Sequence, residues 1–191
     1  MMPTELTAKE RNYLLKLARE SIESAVNGHE QPEIDEQTLA PAMRELGAVF
    51  VTLTIHGDLR GCIGTLEPYQ SLVEDVREHA ISAALDDYRF MPVRPSEIPS
   101  IRIEISRLSL PVPLDYQVPA ELASKLRPGV DGVILREGIR RATFLPQVWE
   151  KIPDSEQFLD HLCEKMGVPP NYWRSHKLQV FIYRVEEFQE D

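Results

Sequence analysis

Residues 48–65 read AVFVTLTIHGDLRGCIGT, and this stretch decides the fold. Residues 48–53 are apolar except for one threonine, a pattern that is typical of a β-strand. Gly57-Asp58 marks a turn, and a second strand is predicted to begin at Leu59. The stretch is therefore predicted to form an antiparallel hairpin.

The length of the turn decides which side chains of the second strand face the core. If the loop has the odd count of residues 56–58, Arg60 and Cys62 lie on the more polar face with Thr52 and Thr54. An even loop would instead place Arg60 against the apolar side chains of the first strand, where a guanidinium is costly to bury. We therefore predict the odd loop.

The other periodic segments alternate between helices and strands. Thr7 and Glu10 have capping-box spacing, and the apolar stripe after them ends at Gly28, which predicts a first helix. Further helices are predicted over 41–46, 70–86 and 155–166, a half-buried strand over 101–106, a central strand over 178–185, and hairpin arms over 133–135 and 142–145. Few parallel crossover units are present, which favours an α+β fold.

Prolines punctuate the chain at two places. Residues 89–99 contain three prolines and are predicted to be irregular. Residues 111–119 form a second proline-punctuated connection and are the candidate lobe boundary. At 191 residues the chain fits one large domain or two small lobes.

Composition excludes several classes of protein. The net charge of −10, from 31 acidic and 21 basic residues, argues against non-specific binding to nucleic acid or to an anionic membrane. No apolar stretch resembles a signal peptide or a membrane span, so a cytoplasmic protein with reduced thiols at Cys62 and Cys163 is expected. The five histidines are scattered, so no metal site is predicted, and without a phosphate loop or a dinucleotide fingerprint no cofactor is predicted.

Several segments resemble, in order, the signature blocks of the AMMECR family, whose prokaryotic members are called AmmeMemoRadiSam system protein A. The blocks are LRGCIGT (59–65), DYRFMP (87–92), ATFLPQVW (142–149) and the helix from Phe158 through Gly167. On these blocks the whole chain, residues 1–191, is identified as a single AMMECR-type domain. One departure is Asp131, because many relatives carry histidine there, and this puts a role for imidazole at that position in doubt.

The resemblance implies both a fold and partners. It implies two lobes with a groove between them, and a mainly antiparallel sheet flanked by helices. It also implies association with a Memo-type protein, similar to non-haem iron dioxygenases, and with a radical-SAM enzyme.

The first block contains the residues with the most distinctive chemistry. Arg60 would lower the pKa of a nearby Cys62 thiol and so raise its reactivity. Its planar guanidinium also suits a small anionic ligand that carries a carboxylate or phosphate. Gly61 and Gly64 would let a backbone or a ligand approach closely. The alternative is structural, with Cys62 as a small buried side chain and Arg60 paired to a carboxylate.

The second and third blocks supply further candidate binding residues. Asp87 is expected to orient a guanidinium, either that of Arg60, for which we name it the internal partner, or that of Arg89. Thr143 and Gln147 offer neutral hydrogen-bonding groups that would suit a polar small molecule. A basic cluster at the predicted hairpin tip, Arg136, Arg140 and Arg141, is compatible with a phosphate or RNA contact or with a solvated turn.

Three functions follow from these observations. The first is a binding component of a multi-protein modification pathway, with its site near Arg60 and Cys62. The second is an enzyme that uses Cys62 as the nucleophile of a transfer reaction. The third is an RNA-associated factor, which the acidic charge disfavours.

Overall fold

The computed structural model describes residues 5–35 and 37–190, and the chain divides into two compact units. The first unit comprises residues 1–108 with 186–191, and the second comprises 109–185. The division falls between Leu108 and Ser109, just ahead of the proline-punctuated stretch at 111–119. Within the described ranges, no helix has both the length and the apolar character that crossing a membrane requires.

Helices and strands alternate along the chain. In chain order they are α1 (Ala8–Asn27), α2 (Pro41–Arg44), β1 (Leu46–Gly47), β2 (Val49–Ile55), β3 (Asp58–Gly64), β4 (Gln70–Ser71), α3 (Leu72–Leu85), β5 (Ile101–Leu108), β6 (Val112–Pro113), α4 (Leu122–Lys125), β7 (Gly132–Glu137), β8 (Arg140–Phe144), α5 (Ser155–Met166), β9 (Gln179–Tyr183) and β10 (Val185–Gln189). Strands β1 and β4 form a small pair, and two four-stranded sheets have the orders β10-β5-β2-β3 and β6-β9-β7-β8. The predicted α+β class is confirmed.

The first unit packs α1 and α3 with the buried face of its sheet. The predicted capping box of α1 is present, and Gly28 ends the helix in the left-handed conformation. Strand β2 contributes Val51 and Leu53 to the same apolar core as Ala83 of α3. Helix α3 therefore lies beneath the sheet and carries the chain directly to Asp87.

The β2–β3 hairpin corrects the predicted loop length. Ile55 pairs with Asp58, so the loop has two residues, and the prediction of an odd loop is wrong. The register then shifts, because Thr54 pairs with Leu59 but Leu53 pairs with Gly61. Arg60 is the extra residue of this β-bulge. Beyond the bulge, the side chains of β3 lie on the same faces of the sheet as an odd loop would have given them. Cys62 accordingly lies opposite Thr52, as predicted.

Other boundaries also differ from the predicted ones. The helix predicted over 41–46 ends at Arg44, because Leu46 and Gly47 form β1 and pair with β4. Helix α3 begins at Leu72, because the two residues before it pair with β1 and the Ser71 hydroxyl accepts the Glu74 N–H at 3.4 Å. The single strand predicted over 178–185 is two strands, β9 and β10. It is interrupted at Arg184, whose backbone exchanges hydrogen bonds with Ser109. The central position predicted for this segment holds for β9, which lies between β6 and β7.

The second unit packs α5 against one face of its sheet. Alternate strand residues face this core, and they include Val133, Leu135, Ala142 and Val180. The ring of Trp149 stacks on that of Phe158 with 3.7 Å between centroids, which anchors the helix. The opposite face of this sheet carries the intervening residues of the same strands.

Candidate functional site

Strand β3 is the edge strand of the first sheet. At Cys62, the side chains of Asp87 and Arg89 cover the edge of β3 that has no neighbouring strand. The backbone N–H of Cys62 donates to Asp87 Oδ2 at 2.8 Å, and Arg89 Nη2 donates to the Cys62 carbonyl at 3.1 Å. Asp87 and Arg89 thus make the two hydrogen bonds that a neighbouring strand would make. Because exposed edges invite pairing with other chains, this arrangement protects β3.

Asp87 is the most firmly held of the predicted site residues. Its side chain is 2% exposed, and its oxygens accept from Arg89 Nη2 at 2.6 Å, Arg89 Nε at 2.8 Å and the Arg89 backbone N–H at 3.2 Å. The hydrogen bonds from the Arg89 side chain lower the pKa of Asp87 far below its usual value; burial opposes the shift, and backbone N–H groups assist it. Asp87 is therefore an ionised anchor for Arg89, one of the two partners that we predicted for it.

Arg60 is paired with Glu97 and not with Asp87, so this part of the prediction is wrong. Arg60 Nε donates to Glu97 Oε1 at 2.8 Å and Nη2 donates to Oε2 at 3.2 Å. Glu97 also accepts the Arg94 backbone N–H at 2.8 Å, and these bonds, with that of Arg60 the largest, lower its pKa. The guanidinium fork thus already holds a carboxylate of the chain itself.

Cys62 is half-buried and lies opposite Thr52, on the polar face of the hairpin. Its Sγ lies 3.3 Å from Thr52 Oγ1, and this threonine is the cross-strand neighbour of Cys62. Cys163, by contrast, is fully buried in the core of the second unit, where desolvation raises the pKa of its thiol. Of the two cysteines, Cys62 is the one that solvent can reach.

The glycines of the first block are required by the protein's own backbone. A Cβ at Gly61 would lie 2.1 Å from the carbonyl oxygen of Ala83 in α3. A Cβ at Gly64 would lie 2.3 Å from the Val49 carbonyl oxygen and 2.5 Å from Phe50 Cα. Both positions therefore permit close packing of backbone on backbone.

The loop after α3 presents large side chains to solvent. Tyr88 is 93% exposed, Met91 is 74% exposed, and the Arg89 side chain is 42% exposed. Phe90 lies beneath them, with the guanidinium carbons of Arg60 and Arg89 at 5.9 and 5.6 Å from its ring centroid. Sequence reasoning missed Tyr88 and Met91, although both stand in the quoted second block.

Thr143 and Gln147 belong to the second unit. The Thr143 hydroxyl donates to the Val133 carbonyl at 2.9 Å and lies 2.9 Å from the Tyr183 hydroxyl, so it is part of the sheet's own bonding. Gln147 is half-buried in the short helix Pro146–Glu150. The structure brings five predicted residues together in the first unit: Arg60, Gly61, Cys62, Asp87 and Arg89.

Asp131, the departure from the family pattern, is fully buried and ion-paired with Arg127. Its carboxylate also accepts the Arg127 backbone N–H at 3.0 Å, and its carbonyl accepts the Trp149 indole N–H at 2.7 Å. These bonds give Asp131 a structural role within the second unit. Among the described residues, no three or more His, Cys, Asp or Glu side chains are placed to hold a metal ion together.

Comparison with known proteins shows which family shares these features. The AMMECR1 family model matches residues 15–188. A protein of Methanothermobacter thermautotrophicus is 39% identical over 97% of each chain, and protein MK0488 of Methanopyrus kandleri is 39% identical over all of this chain and 93% of its own. The crystal structure of the uncharacterized protein PH0010 from Pyrococcus horikoshii covers 97% of this chain and 94% of its own, with 34% identity and a TM-score of 0.88. The chain belongs to the AMMECR1 family.

Proposed function

We propose that this chain is a binding component of a multi-protein modification pathway and that residues 87–92, here called the docking loop, contact its partner. The partners proposed are those that the family resemblance implies, a Memo-type protein and a radical-SAM enzyme. The observation that carries the proposal is the exposure of Tyr88, Arg89 and Met91 on a loop that is fixed from beneath.

The docking loop is held at both ends. Asp87 is buried and bonded to β3, the Phe90 N–H donates to the Asp87 carbonyl at 2.9 Å, and the buried Val93 donates to the Ala84 carbonyl at 2.9 Å. A loop ordered in advance loses little conformational entropy when it binds. Tyrosine, arginine and methionine are also enriched at protein interfaces, and tyrosine and arginine are enriched at their energetic hot spots.

The test is the affinity of the purified chain for the Memo-type and radical-SAM proteins encoded in the same genome, measured by calorimetry. The double variant Tyr88→Ser, Met91→Ser should bind at least about tenfold more weakly, since a hot-spot side chain contributes more than about 1 kcal/mol. As a matched control, Leu46→Ser with Leu110→Ser removes two other exposed apolar side chains and should bind like the wild type. If the wild type binds neither protein, or if both double variants lose affinity equally, the proposal fails.

A second candidate function is an enzyme with Cys62 as its nucleophile. Three observations favour it: Cys62 is half-buried whereas Cys163 is fully buried, the Thr52 hydroxyl lies 3.3 Å from the Cys62 sulfur, and the Arg89 guanidinium donates to the Cys62 carbonyl. A nucleophilic thiol must be reachable by its substrate and more reactive than free cysteine. The docking role needs no such reactivity, so the rate of thiol labelling separates the two functions.

We expect Cys62→Ser to keep the thermal midpoint within about 4 °C of wild type, the shift that 1–2 kcal/mol would produce at this size, because the thiol is not enclosed by the core. An alkylating reagent at pH 6.5 should label the wild type at Cys62 and leave Cys163 unmodified until the chain unfolds. Labelling much faster than that of free cysteine would support the enzyme, and a rate equal to free cysteine would support docking alone. A larger drop of the midpoint would make Cys62 a structural residue.

A further inference from the structure

The second sheet carries a row of polar side chains on the face that points away from α5. Arg136 of β7 pairs with Arg141 of β8 and with Gln179 of β9. Side chains of directly opposite residues lie on the same face. Because the neighbouring residues Leu135, Ala142 and Val180 face the core with α5, this row faces the other way. The face that carries Arg136, Arg141 and Gln179 is the outer face of the second sheet.

The row contains a pair of like charges. Arg136 and Arg141 are like charges directly opposite one another, an arrangement that destabilises a strand pair. Both arginines are exposed. The unit around them is close to neutral, with ten basic and nine acidic residues in 109–185, whereas the rest of the chain has eleven basic and 22 acidic residues. The cations of this row thus lie in the less acidic unit.

A cleft of about 360 Å³ adjoins the row. Its walls are residues 113–117 and 177–181. Pro113 pairs with Phe181, and next to this pair the Leu114 N–H donates to the Val180 carbonyl at 2.9 Å. Pro113 and Phe181 therefore share the outer face with Gln179. The polar side chains among the residues that line the cleft are those of Asp115, Gln117, Lys177 and Gln179.

Gln179 belongs both to the cleft and to the row, so Arg136 lies one strand away from the cleft. Neighbouring strands are about 4.8 Å apart, a distance that an arginine side chain can span. The ammonium of Lys177 lies 5.9 Å from the centroid of the Tyr116 ring, whose hydroxyl is fixed on the Leu178 carbonyl at 2.7 Å. Two cationic residues are thus near Gln179 in the fold: Arg136 is its partner on β7, and Lys177 precedes it by two residues in the wall of the cleft.

We propose that this cleft binds a small sugar phosphate, independently of the docking loop and of the function proposed for it. Arg136 and Lys177 would hold the phosphate, since charge-assisted bonds to phosphate are the strong ones. The amides of Gln117 and Gln179 and the carboxylate of Asp115 would bind sugar hydroxyls, which both donate and accept. The half-buried Phe181 offers an apolar surface for the ring, and the cleft volume lies within the range of small-molecule sites, about 300–1,000 Å³.

The test is calorimetric titration of the full chain with D-ribose 5-phosphate, with D-ribose and inorganic phosphate as separate arms. The intact ester should bind more tightly than either part. Arg136→Gln and Lys177→Gln should each weaken its binding about tenfold, the effect of one charge-assisted bond. The matched control is Arg140→Gln, which makes the same charge change in the same hairpin on the opposite face and should alter affinity less than about twofold.

Each other outcome overturns the proposal. If the wild type does not bind the ester at millimolar concentration, the cleft is not such a site. Equal losses in Arg136→Gln and Arg140→Gln would show only diffuse attraction to positive charge. Binding of a single-stranded RNA that depends on Arg136, without binding of the free ester, would assign the face to a polymer instead. Thermal midpoints of the three variants within about 2 °C of wild type confirm that folding is not the cause.

Discussion

Replacing Gly61 with alanine should lower the free energy of unfolding by about 3 kcal/mol or more, the upper end of what overpacking costs. The added Cβ would stand 2.1 Å from the carbonyl oxygen of Ala83, and its nearest neighbours are backbone atoms that cannot rotate away. Strand β3 would have to move off helix α3, which would disturb Cys62 and the loop beyond it. Denaturation by urea measures the loss directly.

The matched control is Gly138→Ala at the tip of the β7–β8 hairpin. Gly138 has a positive φ of 58°, and nothing lies within 4 Å of the place where its Cβ would be. This variant therefore bears only backbone strain, about 1–2 kcal/mol. If Gly61→Ala costs no more than Gly138→Ala, the close approach of α3 to β3 does not constrain the site.

The helices and strands were predicted well where the interactions that start or end them lie within a few residues of the chain. The Thr7–Glu10 capping box, the Gly28 end of α1 and the helix over 155–166 each depend on groups within a few residues of one another. The α+β class followed from the order of such segments. The β2–β3 faces were also predicted correctly at Cys62, although for the wrong reason, since a bulge at Arg60 and not an odd loop sets them.

The partners of the site side chains were harder to predict because they are set by tertiary structure. Glu97 is 37 residues from Arg60 and lies in a proline-rich stretch without periodicity, so no spacing pointed to that ion pair. The Asp87–Arg89 pair is local, and it was one of two options that sequence could offer. The exposure of the loop side chains could not be predicted either. Tyrosines are more often partly buried, whereas Tyr88 is 93% exposed.

Replacing Asp87 with alanine should cost about 1–3 kcal/mol of stability, the range for leaving a hydrogen-bonding group unpaired, since the Arg89 side chain is 42% exposed and water can solvate it. The change would leave the Cys62 N–H without its acceptor and would release the Arg89 guanidinium from the bonds at 2.6 and 2.8 Å. The docking loop would then lose its anchor, so partner affinity should fall along with the thermal midpoint. Asp86→Asn is the control, because Asp86 is exposed and its substitution should change stability by less than about 0.5 kcal/mol.

The variant Asp87→Asn tests how the stability conferred by the charge of Asp87 depends on pH. The bonds from Arg89 hold the pKa of Asp87 far below its ordinary value, which is about 3.9 in an unfolded chain. A carboxylate whose pKa is lower in the folded state stabilises the fold fully above the unfolded pKa and loses this effect as pH falls toward the folded pKa. The stability advantage of wild type over Asp87→Asn should therefore be constant from pH 7 to about 5 and should shrink below about pH 4.

Comparing the two proteins at each pH cancels the titration of the other carboxylates, which both chains share. What remains is the difference between a carboxylate and an amide at one buried position beside Arg89. A gap between wild type and Asp87→Asn that is as large at pH 3 as at pH 7 would mean that shape and not charge holds the loop. In that case Asp87 would act as a neutral hydrogen-bond acceptor, and Arg89 would need no ionised partner to keep its place on the edge of β3.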